Sequence, residues 1–273
     1  LRMGLSPEAL EKHVEAELVK ASGIIPTVPM VSEQDYQLIV TYYIQAAPAT
    51  ALPQDPREPI QVALRQFSVE ILVRRHAPPS TTLVHVSQPT QRIYFGDEGT
   101  KTLGILSAEG AWLDSVKLDN VPVALVETAR GAYVTMIGHF QPSEDPQGGL
   151  TFLKRTDASF ELGKKFFTKT PRMTHTEFAD VDHDGKVDLV VSYFGNYTGR
   201  FSWYRNLGED KFSEHVLLAK PGAVKSVVQD FNGDGRRDIA VLVAQETEAL
   251  IVFFNEGNGN FRSQTVFQKP PVY

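Results

Sequence analysis

The sequence predicts a mainly β chain, a partial β-propeller of about four blades preceded by a short N-terminal α-helical segment. Three observations predict it. Apolar residues follow a helical period over the first 47 residues, and no helical pattern returns beyond about residue 80. From there, short β-rich segments alternate with Gly, Pro, Asn or Asp. A unit of about 50 residues also occurs twice towards the C-terminal end, a period that fits one four-stranded propeller blade.

Residues 1–47 are expected to be helical. Ser6 then Pro7 reads as an N-cap followed by proline at the first helical position. Leu10, Val14 and Leu18 recur every four residues, Val19 and Ala21 widen the stripe, and Gly23 stops it. A second helix starts at Ser32, with Asp35 as a short-armed capping box, and Tyr36, Ile39, Val40, Tyr43 and Ile44 form its apolar face up to Pro48. Residues 48–66 carry Pro48, Pro53, Pro56 and Pro59 among polar residues and read as an extended linker. Residues 67–273 are assigned to the propeller. Its strand segments include Thr82 to Val86, Arg92 to Phe95, Leu103 to Leu106, Val121 to Val126, Ala132 to Ile137, Leu150 to Leu153, Val187 to Tyr193, Phe201 to Tyr204 and Ile239 to Val243.

Self-comparison aligns Phe178-Ala-Asp-Val-Asp-His-Asp-Gly-Lys-Val-Asp188 with Val228-Gln-Asp-Phe-Asn-Gly-Asp-Gly-Arg-Arg-Asp238. Asp180 and Asp230 are 50 residues apart. Asn206-Leu-Gly208 with Phe212 matches Asn255-Glu-Gly257 with Phe261 at a spacing of 49. Two landmarks that keep one spacing mark a structural repeat. Two more degenerate units run from Thr82 to Leu118 and from Val121 to Phe167.

These acidic loops, followed by Asn-x-Gly and Phe, resemble FG-GAP/VCBS repeats. The resemblance implies a β-propeller, often seven-bladed, in an extracytoplasmic protein: periplasmic, cell-surface or secreted. Four units leave such a ring incomplete, so the resemblance also implies further sequence, most simply beyond Tyr273. Pro26-Thr-Val-Pro29-Met30, then a capped helix with Tyr42-Tyr43 near its end, resembles the C-terminal part of a c-type cytochrome domain. That likeness implies Met30 as an axial haem ligand in an intact domain. The Cys-x-x-Cys-His segment of that family is absent, so haem c is expected only in a longer parent protein. Bacterial proteins that join a haem domain to such repeats would account for both halves.

The first loop offers Asp180, Asp182, Asp184 and Asp188 at positions one, three, five and nine, with the Lys186 carbonyl at position seven. The second offers Asp230, Asn232, Asp234, the Arg236 carbonyl and Asp238. Hard oxygen ligands in this number suit Ca²⁺, whereas Mg²⁺ demands a tighter octahedron. An EF-hand needs a Glu at position twelve, and Val191 and Val241 stand there. Asp-Gly is also a common turn former, but four carboxylates within nine residues repel one another unless a cation joins them. The first loop has the extra carboxylate and the second has Arg236 and Arg237, so the first is expected to bind Ca²⁺ more tightly.

Several classes are set aside. The chain has no cysteine, which excludes disulfides, thiolate nucleophiles and zinc–thiolate sites within it. The formal charge is −6 and no basic run stands out, against a nucleic-acid partner. No apolar stretch is long enough to span a bilayer. No Gly-x-Ser-x-Gly and no helical His metal spacing occurs. His175 and His183 read as surface or turn residues. Trp203, Tyr204 and Asn196-Tyr197 read as packing residues that compete with a ligand-facing role. The expected function is therefore a Ca²⁺-stabilised binding or scaffold module for a protein or glycan partner rather than an enzyme, with the oligomeric state left open. The rivals are part of a haem electron-transfer protein and a carbohydrate-active lyase or lectin.

Overall fold

The structure is a computed structural model describing residues 4, 7–51, 53, 80–157, 159–245 and 247–269. It contains four antiparallel sheets of four strands each, every sheet built from consecutive strands. Blade 1 is β1 (Thr81–Ser87), β2 (Arg92–Asp97), β3 (Thr102–Ser107) and β4 (Trp112–Lys117). Blade 2 is β5 (Pro122–Thr128), β6 (Gly131–Met136), β7 (Gly148–Arg155) and β8 (Phe160–Thr170). Blade 3 is β9 (Met173–Ala179), β10 (Asp188–Tyr193), β11 (Arg200–Gly208) and β12 (Lys211–Leu218). Blade 4 is β13 (Ala223–Gln229), β14 (Asp238–Gln245), β15 (Thr247–Gly257) and β16 (Asn260–Lys269). The first strands β1, β5, β9 and β13 lie beside one another in sequence order. This is a mainly β chain and a partial β-propeller.

The blades pack face to face through three apolar cores. Tyr94, Leu103, Ile105, Leu125, Val134 and Leu153 fill the space between blades 1 and 2. Leu150, Met173, Leu189, Val191, Tyr193 and Tyr204 join blades 2 and 3. Val190, Phe201, Trp203, Ile239, Val241 and Phe253 join blades 3 and 4. Strands in the middle of the stack are covered on both faces, so β10 is buried along its whole length; covered on both sides, it has Leu189, Val190 and Val191 in succession rather than an apolar–polar alternation. Polar pairs also cross the joints: Thr82 Oγ1 donates to the Pro122 carbonyl at 2.6 Å, Thr135 Oγ1 to Thr176 Oγ1 at 3.0 Å, and Thr174 Oγ1 to the Ala223 carbonyl at 2.9 Å. At the two ends of the stack the outward-pointing alternate residues stay exposed, Val84 and Val86 on β1 and Val227 and Leu242 on β13 and β14.

The N-terminal segment differs from the sequence reading. The expected first helix is two short helices, α1 (Pro7–Glu11) and α2 (Ala16–Ala21). Val14 is 93% exposed, while Val19 is fully buried. The break has a tertiary cause. The Glu15 carboxylate accepts from Ser143 Oγ at 2.5 Å, Glu144 N at 2.7 Å and Asp145 N at 3.3 Å, and the His13 ring meets Tyr197 edge-on. Burial works to raise the Glu15 pKa, but the Ser143 hydroxyl and the two amides outweigh it and hold the carboxyl below its usual value. Glu144 is itself buried, and it accepts from the amides of Asn196, Tyr197 and Thr198 and from Thr198 Oγ1. The helices are thus pinned to a loop that is pinned to blade 3. Glu15→Ala is expected to speed backbone hydrogen exchange over residues 16–21 and leave the melting temperature of the sheets unchanged; unchanged exchange there removes the pinning role.

The helix α3 (Glu33–Ala46) starts as expected: Ser32 Oγ accepts from Asp35 N at 3.0 Å and donates to Asp35 Oδ2 at 2.7 Å. Its apolar face is not packed, since Tyr43 and Ile44 are exposed and no α3 residue is buried. The Ser6 cap lies outside the described residues, as do the linker over 48–66, apart from 48–51 and 53, and the assigned start of the propeller at 67–79.

Candidate metal centre

Antiparallel hairpins put the first and third turns of each blade at one end. At that end the β9–β10 turn of blade 3 and the β13–β14 turn of blade 4 are the two acidic loops. Gly185 and Gly235 both have φ of +84°, where L side chains are strained, so position six of each loop favours glycine. In the first loop the Asp180 carboxylate accepts from Asp184 N at 3.1 Å and Gly185 N at 3.0 Å. Asp230 repeats this, accepting from Gly233 N at 2.7 Å, Asp234 N at 3.2 Å and Gly235 N at 2.8 Å. The Gly235 amide, first among these donors, holds the Asp230 pKa below its usual value.

Asp180, Asp182 and Asp188 each bring one carboxylate oxygen within 4.8 Å of the others. With Ca²⁺–oxygen distances of about 2.3–2.6 Å, ligand oxygens on opposite sides of one ion are at most about 5.2 Å apart. The three oxygens therefore fit a single calcium ion in donor type and spacing. Asp184 stands outside this group. Its carboxylate accepts from Lys186 N and Lys186 Nζ, each at 2.9 Å, and Lys186 first and Arg205 after it hold its pKa low. In the second loop Arg236 Nη2 donates to Asp234 Oδ2 at 2.6 Å, and Asn232 Nδ2 to the same oxygen at 2.8 Å. The main-chain amide of Arg236 first, and the side chain of Asn232 after it, hold the Asp234 pKa low. Among the described residues, Asp230, Asp234 and Asp238 form no such three-carboxylate group. The Lys186 and Arg236 side chains turn to neighbouring acids, so their place in the expected ligand set rests on main-chain oxygen alone.

Position nine has a second role that sequence reasoning missed. Asp188 and Asp238 have no exposed surface. Asp188 Oδ2 accepts from Val181 N at 3.1 Å and Trp203 Nε1 at 3.0 Å, and Oδ1 from Asn206 N at 2.7 Å. Asp238 accepts from Phe231 N at 3.0 Å and Asn255 N at 2.8 Å. Burial raises the Asp188 pKa against these donors, the electrostatic setting in which a nearby cation favours the charged form. The Asn-x-Gly landmark closes the same knot. Asn206 Nδ2 donates to the Val187 carbonyl at 2.8 Å and its Oδ1 accepts from Gly208 N at 2.8 Å. Asn255 does the same with the Arg237 carbonyl and Gly257 N, and also donates to the Val181 carbonyl across the blade joint. The recurrence of Asn-x-Gly on the strand after each position nine is the sequence signal for this pairing.

Arg205 Nε lies 2.5 Å from Asp182 Oδ2 and Arg205 Nη2 lies 3.5 Å from Asp184 Oδ2. The Nε contact is one of charge, outside hydrogen-bond geometry. Arg205 therefore shares in neutralising two acids of the first loop although it stands on β11, outside the loop's own residues. Beside the loop a cavity of about 410 Å³ opens between blades 3 and 4, with Glu177, Asp180, His183, Val228 and Arg237 in its wall.

The other candidates fall elsewhere. Met30 is 71% exposed in a turn between α2 and α3, and with no cysteine in the chain no covalent haem anchor accompanies it. Trp203 and Tyr204 are packing residues: Trp203 is 1% exposed and stacks on His215 at 4.7 Å, and Tyr204 shares a 2.7 Å hydrogen bond with Tyr193. His183 is an exposed loop residue as expected. His175 is not; its side chain is only 13% exposed on β9, because it points into the joint with blade 4 and meets Ser226. Among the described residues, no helix is long and apolar enough to cross a membrane.

No curated protein matches the chain. Residues 180–241, from the first acidic loop through the second and into β14, match a family model described as an FG-GAP-like repeat. With four four-stranded antiparallel sheets around that stretch, the chain is a repeat protein of β-propeller type, similar over residues 180–241 to FG-GAP-like repeats.

Proposed function

We propose that this chain is a calcium-stabilised binding or scaffold module that works outside the cytoplasm and offers its loop end to a protein or glycan partner. The observation that carries the reading is the gathering of Asp180, Asp182 and Asp188 oxygens within 4.8 Å in a loop that also starts a core strand. An ion there ties the loop to β10, and a site absent from the unfolded chain turns binding energy into folding energy. The similarity to FG-GAP-like repeats over both loops supports a location where calcium is plentiful, since extracellular modules of modest affinity are filled at millimolar calcium.

The test is a melting curve in calcium and in chelator. Calcium at a hundred times its dissociation constant adds about 2.7 kcal/mol, which for a chain of this size raises the melting temperature by about 5–10 °C. Asp180→Ala is expected to remove more of that rise than Asp230→Ala, because only the first loop gathers three carboxylates. Identical curves with and without calcium, together with no heat of binding, end the reading; equal losses in the two variants end the ranking of the loops.

A further inference from the structure

Blade 2 has a short basic turn where blade 3 has its long acidic loop. Leu189 of β10 pairs with Tyr204 of β11, and Ala132 of β6 pairs with Leu153 of β7. Arg205 and Lys154, one residue further along the third strand, therefore hold equivalent places. The next residue agrees: Arg155 N donates to the Arg130 carbonyl at 2.9 Å, as Asn206 N donates to Asp188. In blade 3 the cation at this place is paired, with Asp182 and Asp184 over Arg205. In blade 2 the loop is reduced to Ala129 and Arg130, which adds a second cation instead of the acids. Arg130 and Lys154 are both exposed, and among the described residues neither has a carboxylate within ion-pair reach; Glu161, the register partner of Lys154 on β8, lies beyond it.

The room left by the missing loop is a cavity of about 500 Å³, within the range that ligands fill. Arg130, Phe152, Lys154, Thr156 and Asp157 are in its wall. Arg155 also lines it, but its guanidinium turns towards blade 1, donating to the Tyr94 hydroxyl at 3.5 Å and, within its own blade, to Glu127 Oε1 at 2.8 Å. Among the described residues Asp157 is the one acid in the wall, against Arg130 and Lys154. We propose that this cavity takes an acidic peptide segment of a partner protein, with a carboxylate over Lys154 and Arg130 in the place that Asp182 takes over Arg205 in blade 3. Blade 3 supplies the argument for a peptide: there the same position on the same scaffold is filled by an Asp-rich turn. Phe152, half-buried in the wall, gives the apolar part of such a segment a surface to lie on.

This inference rests on the reading of the chain as a binding module and is independent of the metal. The probe is a fluorescein-labelled peptide with the sequence of residues 179–188, titrated into the full chain in chelator and followed by anisotropy. Saturable binding is expected. The Arg130→Ala/Lys154→Ala double variant is expected to weaken it at least about tenfold, as loss of charge-assisted pairs does. Lys211→Ala, an exposed lysine at the same end that pairs with Glu209, is expected to leave binding unchanged. Both cations of the double variant are exposed, so its melting curve is expected to match the parent. Absent peptide binding, an undiminished affinity in the double variant, or equal weakening by Lys211→Ala overturns the inference. So does binding of an oligogalacturonate through Arg130 and Lys154 with the peptide left unbound. A chain that melts higher in calcium but ignores the peptide loses this inference and keeps the function above; a chain that binds the peptide and ignores calcium does the reverse.

Discussion

Asp188→Ala is expected to lower the melting temperature by roughly 10 °C or more even in chelator, a loss of several kcal/mol in a chain of this size. The side chain is fully buried and accepts from Val181 N, Trp203 Nε1 and Asn206 N. Alanine leaves three donors without an acceptor in a site water does not reach, and each costs about 1–3 kcal/mol. Trp203 sits in the core between blades 3 and 4, so the orphaned indole N–H loosens that joint as well. Asp182→Ala separates this role from metal binding. Asp182 belongs to the same three-oxygen group, but its protein partners are Asp184 N and the partly exposed Arg205. Its loss is expected to leave the melt in chelator almost unchanged and to reduce the rise given by calcium. If Asp188→Ala and Asp182→Ala behave alike in chelator, position nine is a ligand only and the knot of Asp188 with Val181, Trp203 and Asn206 is not what holds the blade.

That double duty explains what could be read from the residues and what could not. The loops were legible because five oxygen-bearing positions and a glycine recur at a fixed spacing, and Asn-x-Gly recurs with them. The pattern treats its acids as equals. It does not say that Asp188 and Asp238 turn inwards while Asp184 turns to Lys186, because the partners that decide this lie outside the loops, Trp203, Arg205 and Asn206 on β11 and Asn255 on β15. The blade count was legible for the same reason that some strands were not. Inner strands such as β3 and β10 are buried along nearly all of their length around the apolar runs Leu103–Leu106 and Leu189–Val191, whereas β16 is exposed over most of its residues and β8 over the first half of its length, so these outer strands carry little alternation. The helical period of Leu10, Val14 and Leu18 was correct as a pattern and wrong as a helix. The contact of Glu15 with residues 143–145 outweighs local propensity there, as tertiary contacts commonly do in short helices. His175 reads as a surface residue because its neighbours Thr174, Thr176 and Glu177 are polar, while the residue that covers it, Ser226, lies on the next blade.

His175 gives the second large effect, a loss of stability in weak acid. Burial first, and the positive charge of Lys225 second, push its pKa down from 6.5 to about 4. The folded chain thus holds this ring neutral, with Nδ1 facing Ser226 N at 3.4 Å and Glu177 3.9 Å from Nε2. Between pH 6.5 and 4 the unfolded chain binds a proton that the folded chain refuses, so stability falls as pH falls through that window and levels below it. The loss is on the order of 3 kcal/mol. Glu177 works in the opposite direction. Burial raises its pKa, so the folded chain takes up that proton earlier than the unfolded chain and recovers part of the loss. His175→Asn keeps an acceptor for the Ser226 amide and removes the titration. Denaturant unfolding at a series of pH values is expected to show the variant weaker than the parent at pH 7 but with a shallower decline towards pH 4. Glu177→Gln, in contrast, is expected to steepen the decline. Parallel curves for parent and His175→Asn would mean that the ring is protonated as readily in the folded chain as in the unfolded one, and that the joint between blades 3 and 4 admits water at this point.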